Sequence, residues 1–281
     1  MIKYLESKNF NIEIILIAGD LPKTTPFPLM IKYMITHPLK FLSKTEYTRW
    51  VYKGKGRKRF VKEQIKSVNQ VLDLLKKLNA PIVYVPGNVD TKEVKETLKS
   101  REDIKLHYLD GEVLNFKEIS ILGIGGSLFT PDKYPKALCE GEYPFEDFKR
   151  RLDSMKIPNA FENEYKILLT HEPPSFEIKL KDQVLRGGAP FFRDIITNKE
   201  INLSISGHWH EFPVYWTNPN SKTVYINPGP LGCYYFSILQ IKDSHVEIKQ
   251  HKLAIEKFDI TNIIYSLRKE SDITLKTFRF V

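Results

Sequence analysis

The sequence predicts a layered α/β fold with mixed sheets flanked by helices, and three observations predict it. Short apolar, β-branched runs stop abruptly at polar or glycine-containing turns, helical periodicity fills several of the gaps between them, and two stretches read as hairpins rather than crossovers. The runs Ile12 to Ala18, Ile82 to Val85, Ile119 to Ile124, Ile167 to Leu169, Ile201 to Ile205 and Val224 to Ile226 read as buried strands. Val61, Ile65, Val68, Val71, Leu72, Leu75 and Leu78 recur at helical spacing, so Val61 to Leu78 is expected as a helix. Shorter helices are expected over Thr91 to Arg101 and Pro190 to Asn198. Leu106 to Phe116, broken by Asp110-Gly111, and the region from Val224 to Leu253 read as hairpins or meander, which makes the sheets mixed. No internal repeat or low-complexity linker divides the chain, so one domain over residues 1–281 is expected. Its excursions lie at about 22–60 (basic and aromatic) and about 130–158, which lack the strand rhythm.

Bulk composition narrows the classes. With 281 residues, 42% hydrophobic and 12% aromatic content, the chain can bury a sizeable core and is not a disordered segment. No stretch approaches the roughly 18 apolar residues of a membrane span, and residues 1–8 carry scattered charges instead of a leader core, so a cytoplasmic protein without membrane association is expected. Cys139 and Cys233 form no Cys-x-x-Cys pair, which leaves His, Asp, Asn and Glu to hold any metal. The net charge of +9 favours anionic partners.

One segment points to chemistry. Gly207-His208-Trp209-His210 closes the run Ile201 to Ile205, and two imidazoles at i and i+2 project the same way from an extended segment. Such a pair is common on innocent surface loops, so its weight depends on what joins it. Asp20 ends the first apolar run, Asn88 and Asp90 end the next as Gly87-Asn88-Val89-Asp90, and His171 follows Leu168-Leu169-Thr170. Ligands of α/β sheets gather beyond the carboxyl ends of strands, so polar residues just past four strands can meet in space. One carboxylate, one amide oxygen and three imidazoles form a mixed N/O set suited to Mn, Fe, Ni, Co or Zn ions rather than Ca.

In this order, Gly19-Asp20, Gly87-Asn88, His171 and Gly207-His208-x-His210 resemble the motifs of the calcineurin-like metallophosphoesterase superfamily, and Gly125-Gly126-Ser127 and Asn227-Pro228-Gly229 resemble its turns. The resemblance implies an α-β-β-α layered β-sandwich with two divalent ions at one edge. It also implies hydrolysis of a phosphomonoester or phosphodiester by attack of a metal-bound hydroxide, as a phosphatase or phosphodiesterase acting on a phosphorylated substrate. Asp20 would bridge the ions, Asn88, His171 and His208 would hold one of them, and His210 would serve the other.

The sequence departs from that pattern twice. The family opens on a strand ending in Asp-x-His, and no such pair precedes Gly19. The expectation is a chain that starts after that strand, or alternatively a diverged one that lost it and holds only one ion. Val89 stands where many members carry a histidine that assists the leaving group. Asp90 is the candidate substitute, as a partner to a ligating imidazole. His37, His107, His245 and His251 carry no matching motif. Six cations among aromatics in Arg49 to Phe60, including Lys53, Lys55 and Arg57, are candidates to grip a substrate phosphate, with nucleic acid as a less favoured partner. The competing functions are a non-catalytic scaffold on the same fold and, further behind, a nuclease.

Overall fold

The computed structural model describes residues 1–8, 10–22, 44–129, 139–155, 161, 163, 165–180, 183–210, 214–217, 223–231, 235–242, 245–252 and 278–279. Two sheets lie face to face between helical layers. In the first, β1 (Ile15–Ile17), β2 (Ile82–Tyr84) and β3 (Leu106–Tyr108) run parallel in that order, with Ile15 opposite Ile82 and Ile82 opposite Leu106. The second contains β4 (Glu112–Phe116), β5 (Ile119–Ile124), β8 (Tyr165–Thr170), β11 (Leu203–Ser206), β12 (Val214–Thr217) and β13 (Val224–Asn227). Its order is β12-β13-β11-β8-β5-β4, parallel through its four middle strands and antiparallel at both edges.

Successive residues of these strands face opposite layers, and apolar residues on both faces are buried. Ile121, Ile167, Leu169, Leu203 and Ile205 face Val83, Val85 and Leu109 between the sheets. Leu122, Ile124 and Leu168 face outward under α5 (Phe145–Ser154) and α6 (Phe192–Asn198). On the other side, Ile82 and Tyr84 are covered by Val68, Leu72 and Leu75 of α3 (Arg57–Leu75) and by Val94 and Leu98 of α4 (Lys92–Lys99). Both faces of each sheet are thus dry, which is the environment that parallel strands require. The layers are α-β-β-α, with mixed sheets flanked by helices, as the fold-class expectation has it.

The remaining elements close the ends. Strands β6 (Ser127–Leu128) and β7 (Glu142–Tyr143) pair in parallel; β9 (Phe176–Leu180) pairs with β10 (Gln183–Gly187) and β16 (Phe278–Arg279). The hairpin of β14 (Tyr235–Lys242) and β15 (His245–Lys252) packs Leu239, Ile241, Val246 and Ile248 against the inter-sheet core. Helix α1 (Ile2–Ser7) reaches this hairpin through Tyr4, whose ring lies 5.3 Å from that of His251. Among the described residues no helix is long and apolar enough to cross a membrane.

Two expectations are corrected. Leu106 to Phe116 is not a hairpin. Leu109 N–H still donates to Tyr84 O in the first sheet, whereas Gly111 N–H donates to Gly123 O in the second. Asp110-Gly111, with Gly111 at φ 88°, is therefore a crossing between layers. The stretch 130–158 is not wholly an excursion either. Residues 130–138 and 156–160 lie outside the described residues, but α5 plants Phe148 and Leu152 in the core, with Phe148 wholly buried between the rings of Phe191 and Phe192. Replacing Phe148 with alanine is expected to cost about 3–5 kcal/mol in a denaturant melt, because it removes a ring from a site walled by rigid strands. A loss below about 1 kcal/mol would show that α5 is not part of the cooperative core.

Candidate metal centre

Four donors come from four strand ends. Asp20 stands three residues past β1 and Asn88 four past β2, in one sheet; His171 directly follows β8 and His208 stands two past β11, in the other. All four strands point their carboxyl ends to the same edge, and the loops are bonded to one another there. Val85 N–H donates to Ile17 O, and Gly207 N–H to His171 O at 3.1 Å.

The turns are tight. Gly19, Asp20 and His208 have φ of 82°, 53° and 64°. A left-handed backbone is uncommon for residues with a Cβ, and two ligand candidates adopt it, which is the kind of strain that functional sites hold. Glycine is required at position 19 on two counts, since a Cβ there would also lie 2.6 Å from His171 Nδ1.

The His171 ring, 1% exposed, is the hub. Its Nδ1 lies 2.7 Å from Ala18 O, so Nδ1–H donates to that carbonyl and Nε2 faces the centre. Around Nε2 gather Asn88 Oδ1 at 2.9 Å, Asp20 Oδ2 at 3.2 Å and His208 Nδ1 at 3.2 Å. Ligand atoms of Asp20, His171 and His208 all lie within 4.8 Å of one another. Burial alone would lower the His171 pKa, but the Asp20 carboxylate and the hydrogen bonds to Asp20 and Ala18 push it up to about 9. Burial alone would raise Asp20, but His171 and His208 together with the Val89 N–H, 3.0 Å from Oδ1, hold it below the usual carboxylate range. Cation charge is therefore favoured at the centre of the four donors. Two imidazole nitrogens, a carboxylate and an amide oxygen converging on one spot suit a borderline divalent ion such as Mn, Fe, Co, Ni or Zn.

Several groups that carry no sequence motif hold these donors. Glu142 Oε1 accepts from Asn88 Nδ2 at 3.3 Å, and because a carboxylate only accepts, this orients the amide with Oδ1 toward His171. Glu172 is buried beside His171; its Oε2 accepts the Leu128 N–H at 3.0 Å and lies 3.8 Å from His208 Nε2. Burial raises the Glu172 carboxyl to about 7, against the pull of the Leu128 N–H and His171. Asn227 Nδ2 donates to Trp209 O at 2.8 Å and so ties down the His208 to His210 loop from the end of β13. The adjacency of Glu172 to His171 was a visible signal; nothing along the chain announced Glu142.

The remaining expected site residues are His210, Asp90, Lys53, Lys55 and Arg57. His210 is half-buried two residues beyond His208 and is not one of the three clustered residues. Asp90 is wholly buried, and its Oδ2 accepts from the Tyr84 hydroxyl and from Gly87 N–H at 2.7 Å, so among the described contacts it braces the Gly87 turn. Burial and the nearby Asp20 charge push it up to about 6, against those two hydrogen bonds. Val89 packs against Val51, Tyr52 and Phe60, while Tyr52 Oη and Gln64 Nε2 donate to its carbonyl at 3.0 and 2.9 Å. Arg57 is turned to Glu93 and Glu140, at 2.7 and 2.6 Å, and its charge is taken up there. Lys53 and Lys55 are exposed, and His37 lies outside the described residues.

Comparison with known proteins bears on this geometry. A family model described as metallophosphoesterase, calcineurin superfamily, matches residues 44–251, which include Asn88, His171, His208 and His210; Asp20 precedes the matched span and joins it through the contacts above. The uncharacterised protein MJ1162 of Methanocaldococcus jannaschii is 31% identical over 162 residues, 55% of this chain, and the chain spans 66% of that relative's length. One crystal structure superposes at a TM-score of 0.60 with 15% identity, covering 90% of this chain and 92% of its own. TT1561 of Thermus thermophilus superposes at 0.52 with 15% identity, covering 88% and 89%. At that identity the two structures speak to the fold alone, whereas the family match spans most of the chain and includes three of the four convergent donors. The chain belongs to the calcineurin superfamily of metallophosphoesterases.

Proposed function

We propose that this chain is a metal-dependent phosphoesterase hydrolysing a phosphomonoester or phosphodiester. The observation that carries the reading is the convergence of Asp20, Asn88 and His208 on His171 Nε2 from four strand ends. Asp20, Asn88, His171 and His208 would hold one divalent ion, and His210, with Asp20 shared, would serve a second. Bound there, such ions supply Lewis-acid activation of water and neutralise charge developing on the phosphate.

The protein's own part is alignment. Ala18 O sets which His171 nitrogen faces the centre, Glu142 sets the Asn88 amide, and the Val89 N–H fixes one Asp20 oxygen so that the other points inward. Groups held this way lose little freedom on binding an ion, which is how supporting contacts raise affinity. The Val89 side chain carries no proton to give a leaving group, and Asp90 Oδ2 is engaged by Tyr84 and Gly87. General acid help is worth about 10²–10⁴-fold, so esters of good leaving groups are expected to outrun alkyl esters by a margin of that order.

The test is a paired measurement on the full chain. Metal titration with Mn, Ni, Co, Fe and Zn should show saturable binding of at least one ion. With the tightest of them, p-nitrophenyl phosphate or bis(p-nitrophenyl) phosphate should be hydrolysed and glycerol phosphate far more slowly. Saturable metal binding with no hydrolysis of either aryl ester overturns the enzymatic reading and leaves a metal-binding scaffold; no binding overturns the metal centre itself.

A further inference from the structure

The basic, aromatic segment before the long helix resolves into two separable parts. Its rings face inward. Tyr52 and Phe60 are buried, edge to face with centroids 4.9 Å apart, and Trp50 packs against the same cluster. A Cβ on Gly56 would overlap the Trp50 ring, so the turn between α2 (Lys44–Lys53) and α3 is moulded on that indole. Its charges face outward. Lys55, Lys58, Arg59, Lys62 and Lys66 are all exposed, and Lys58, Lys62 and Lys66 stand at i, i+4 and i+8 along one row of α3. At 1.5 Å rise per residue that row is roughly 12 Å long.

None of the five has a carboxylate partner among the described residues, and Glu63 is the only acidic residue in residues 54–72. The neighbouring basic groups are spent: Arg57 on Glu93 and Glu140, and Arg101 on Asp73 and Asp103. Holding like charges in a row on a rigid helix costs repulsion, which an anionic partner relieves.

We propose that the outer face of α3 is a docking surface for the sugar–phosphate backbone of double-stranded nucleic acid. Each duplex strand carries a phosphate about every 3.4 Å of axis, so three cations spread over roughly 12 Å face a dense line of negative charge. Proteins that hold single strands add stacking platforms, whereas here Tyr52 and Phe60 are buried and Trp50 is half-buried against them, which favours a surface that reads charge and not bases. The inference is separate from the reaction at the metal centre, because the row lies on the face of α3 opposite to Gln64, whose amide holds the Val89 carbonyl.

Fluorescence anisotropy of the full chain with a labelled 20-base-pair DNA duplex tests it. Four backbone contacts, three from the row and one from Lys55 or Arg59, predict a log–log salt slope near −3.6, so that affinity falls about 150-fold between 50 and 200 mM salt. Changing Lys58, Lys62 and Lys66 together to glutamate should reduce that slope by about 3 and weaken binding at least about 10-fold at 50 mM salt. The same charge change at the exposed Lys105, Lys149 and Arg150 should alter affinity by no more than about threefold, since only screened long-range attraction is lost. No duplex binding at 50 mM salt, flat binding up to 200 mM, equal loss in the two triple variants, or tighter binding of a 20-nucleotide single strand would each overturn the proposal. So would equal competition by poly-glutamate. Hydrolysis of an aryl phosphate by a Lys62→Glu, Lys66→Glu double variant, measured alongside, should match the parent, which separates failure of this surface from failure of the metal centre.

Discussion

Asp20→Asn is expected to abolish metal-dependent hydrolysis while leaving the fold standing. The asparagine is nearly isosteric, and its Oδ1 can still accept the Val89 N–H that the carboxylate accepts at 3.0 Å. What changes is charge at the centre. Asp20 Oδ2 lies 3.2 Å from His171 Nε2, and its carboxylate is the main reason that the buried His171 ring keeps a proton up to a pKa of about 9. Removing that negative charge, with Oδ1 kept on the Val89 N–H and an NH2 turned to the centre in place of Oδ2, leaves two imidazoles and one amide oxygen, a neutral set much less able to hold a divalent cation. An ion's contribution to such a reaction is several kcal/mol, and each 1.36 kcal/mol is tenfold, so a loss on the order of 10³-fold in kcat/KM is expected. A ligand that binds only the folded state raises the melting temperature in proportion to ln(1 + [L]/Kd). The parent should therefore show a metal-induced rise in Tm that Asp20→Asn lacks, with the two Tm values close together in chelator. An unchanged metal-induced rise in the variant would remove Asp20 from the ligand set.

The donors were legible in the sequence because each follows a strand that is itself legible. Ile82 to Val85 is buried on both faces and forms an unbroken apolar run, and Ile201, Leu203 and Ile205 mark the second strand although Asn202 and Ser204 alternate with them; the polar residues and glycines that follow mark the sheet edge. The strand ends place Asn88 and His208 with little room for error, since both sheets finish at one edge. Which layer a strand joins was less legible. Asp110-Gly111 signals a turn, but a turn dipeptide is the same whether the chain doubles back or crosses to the other sheet; only the pairing of β3 with β2 and of β4 with β5 decides it. Helix α5 was hidden for a different reason. Proline and aromatic residues around it obscured the i, i+4 pair Phe148 and Leu152 that buries it. The groups that hold the donors were least legible. Glu142 is 54 residues from Asn88, and the bond between them depends on the pairing of β6 with β7, which brings that segment across the Asn88 loop. Arg57 looked like a phosphate ligand along the chain, whereas Glu93 and Glu140 claim it in space.

Gly87→Ala should damage the centre as severely as loss of a ligand, although Gly87 has no side chain to contribute. Its φ is not in the left-handed region, so backbone strain is not the objection. Space is. A Cβ at position 87 would overlap Asp20 Oδ1 and the Asp20 N–H, and would lie 2.6 Å from Asp20 Cγ. The carboxylate cannot simply swing away, because the Asp20 backbone is in the path as well, and the Gly87 turn is pinned from behind by the bond of its N–H to Asp90 Oδ2 at 2.7 Å. Either the first loop or the second must move, and Asn88 travels with the second. Overpacking of this kind costs about 1–3 kcal/mol of stability. Displaced supporting contacts cost about 10–100-fold in metal affinity, and here a ligand itself is displaced, so the upper end is expected. Gly123→Ala separates the two effects. A Cβ there would meet Leu109 and Val85 between the sheets, away from every donor, so that variant should lose stability and keep its metal affinity. Thermal melts in chelator and metal titrations of both variants decide the matter. If Gly87→Ala binds metal as tightly as Gly123→Ala does, the close approach of the two loops is not what builds the centre.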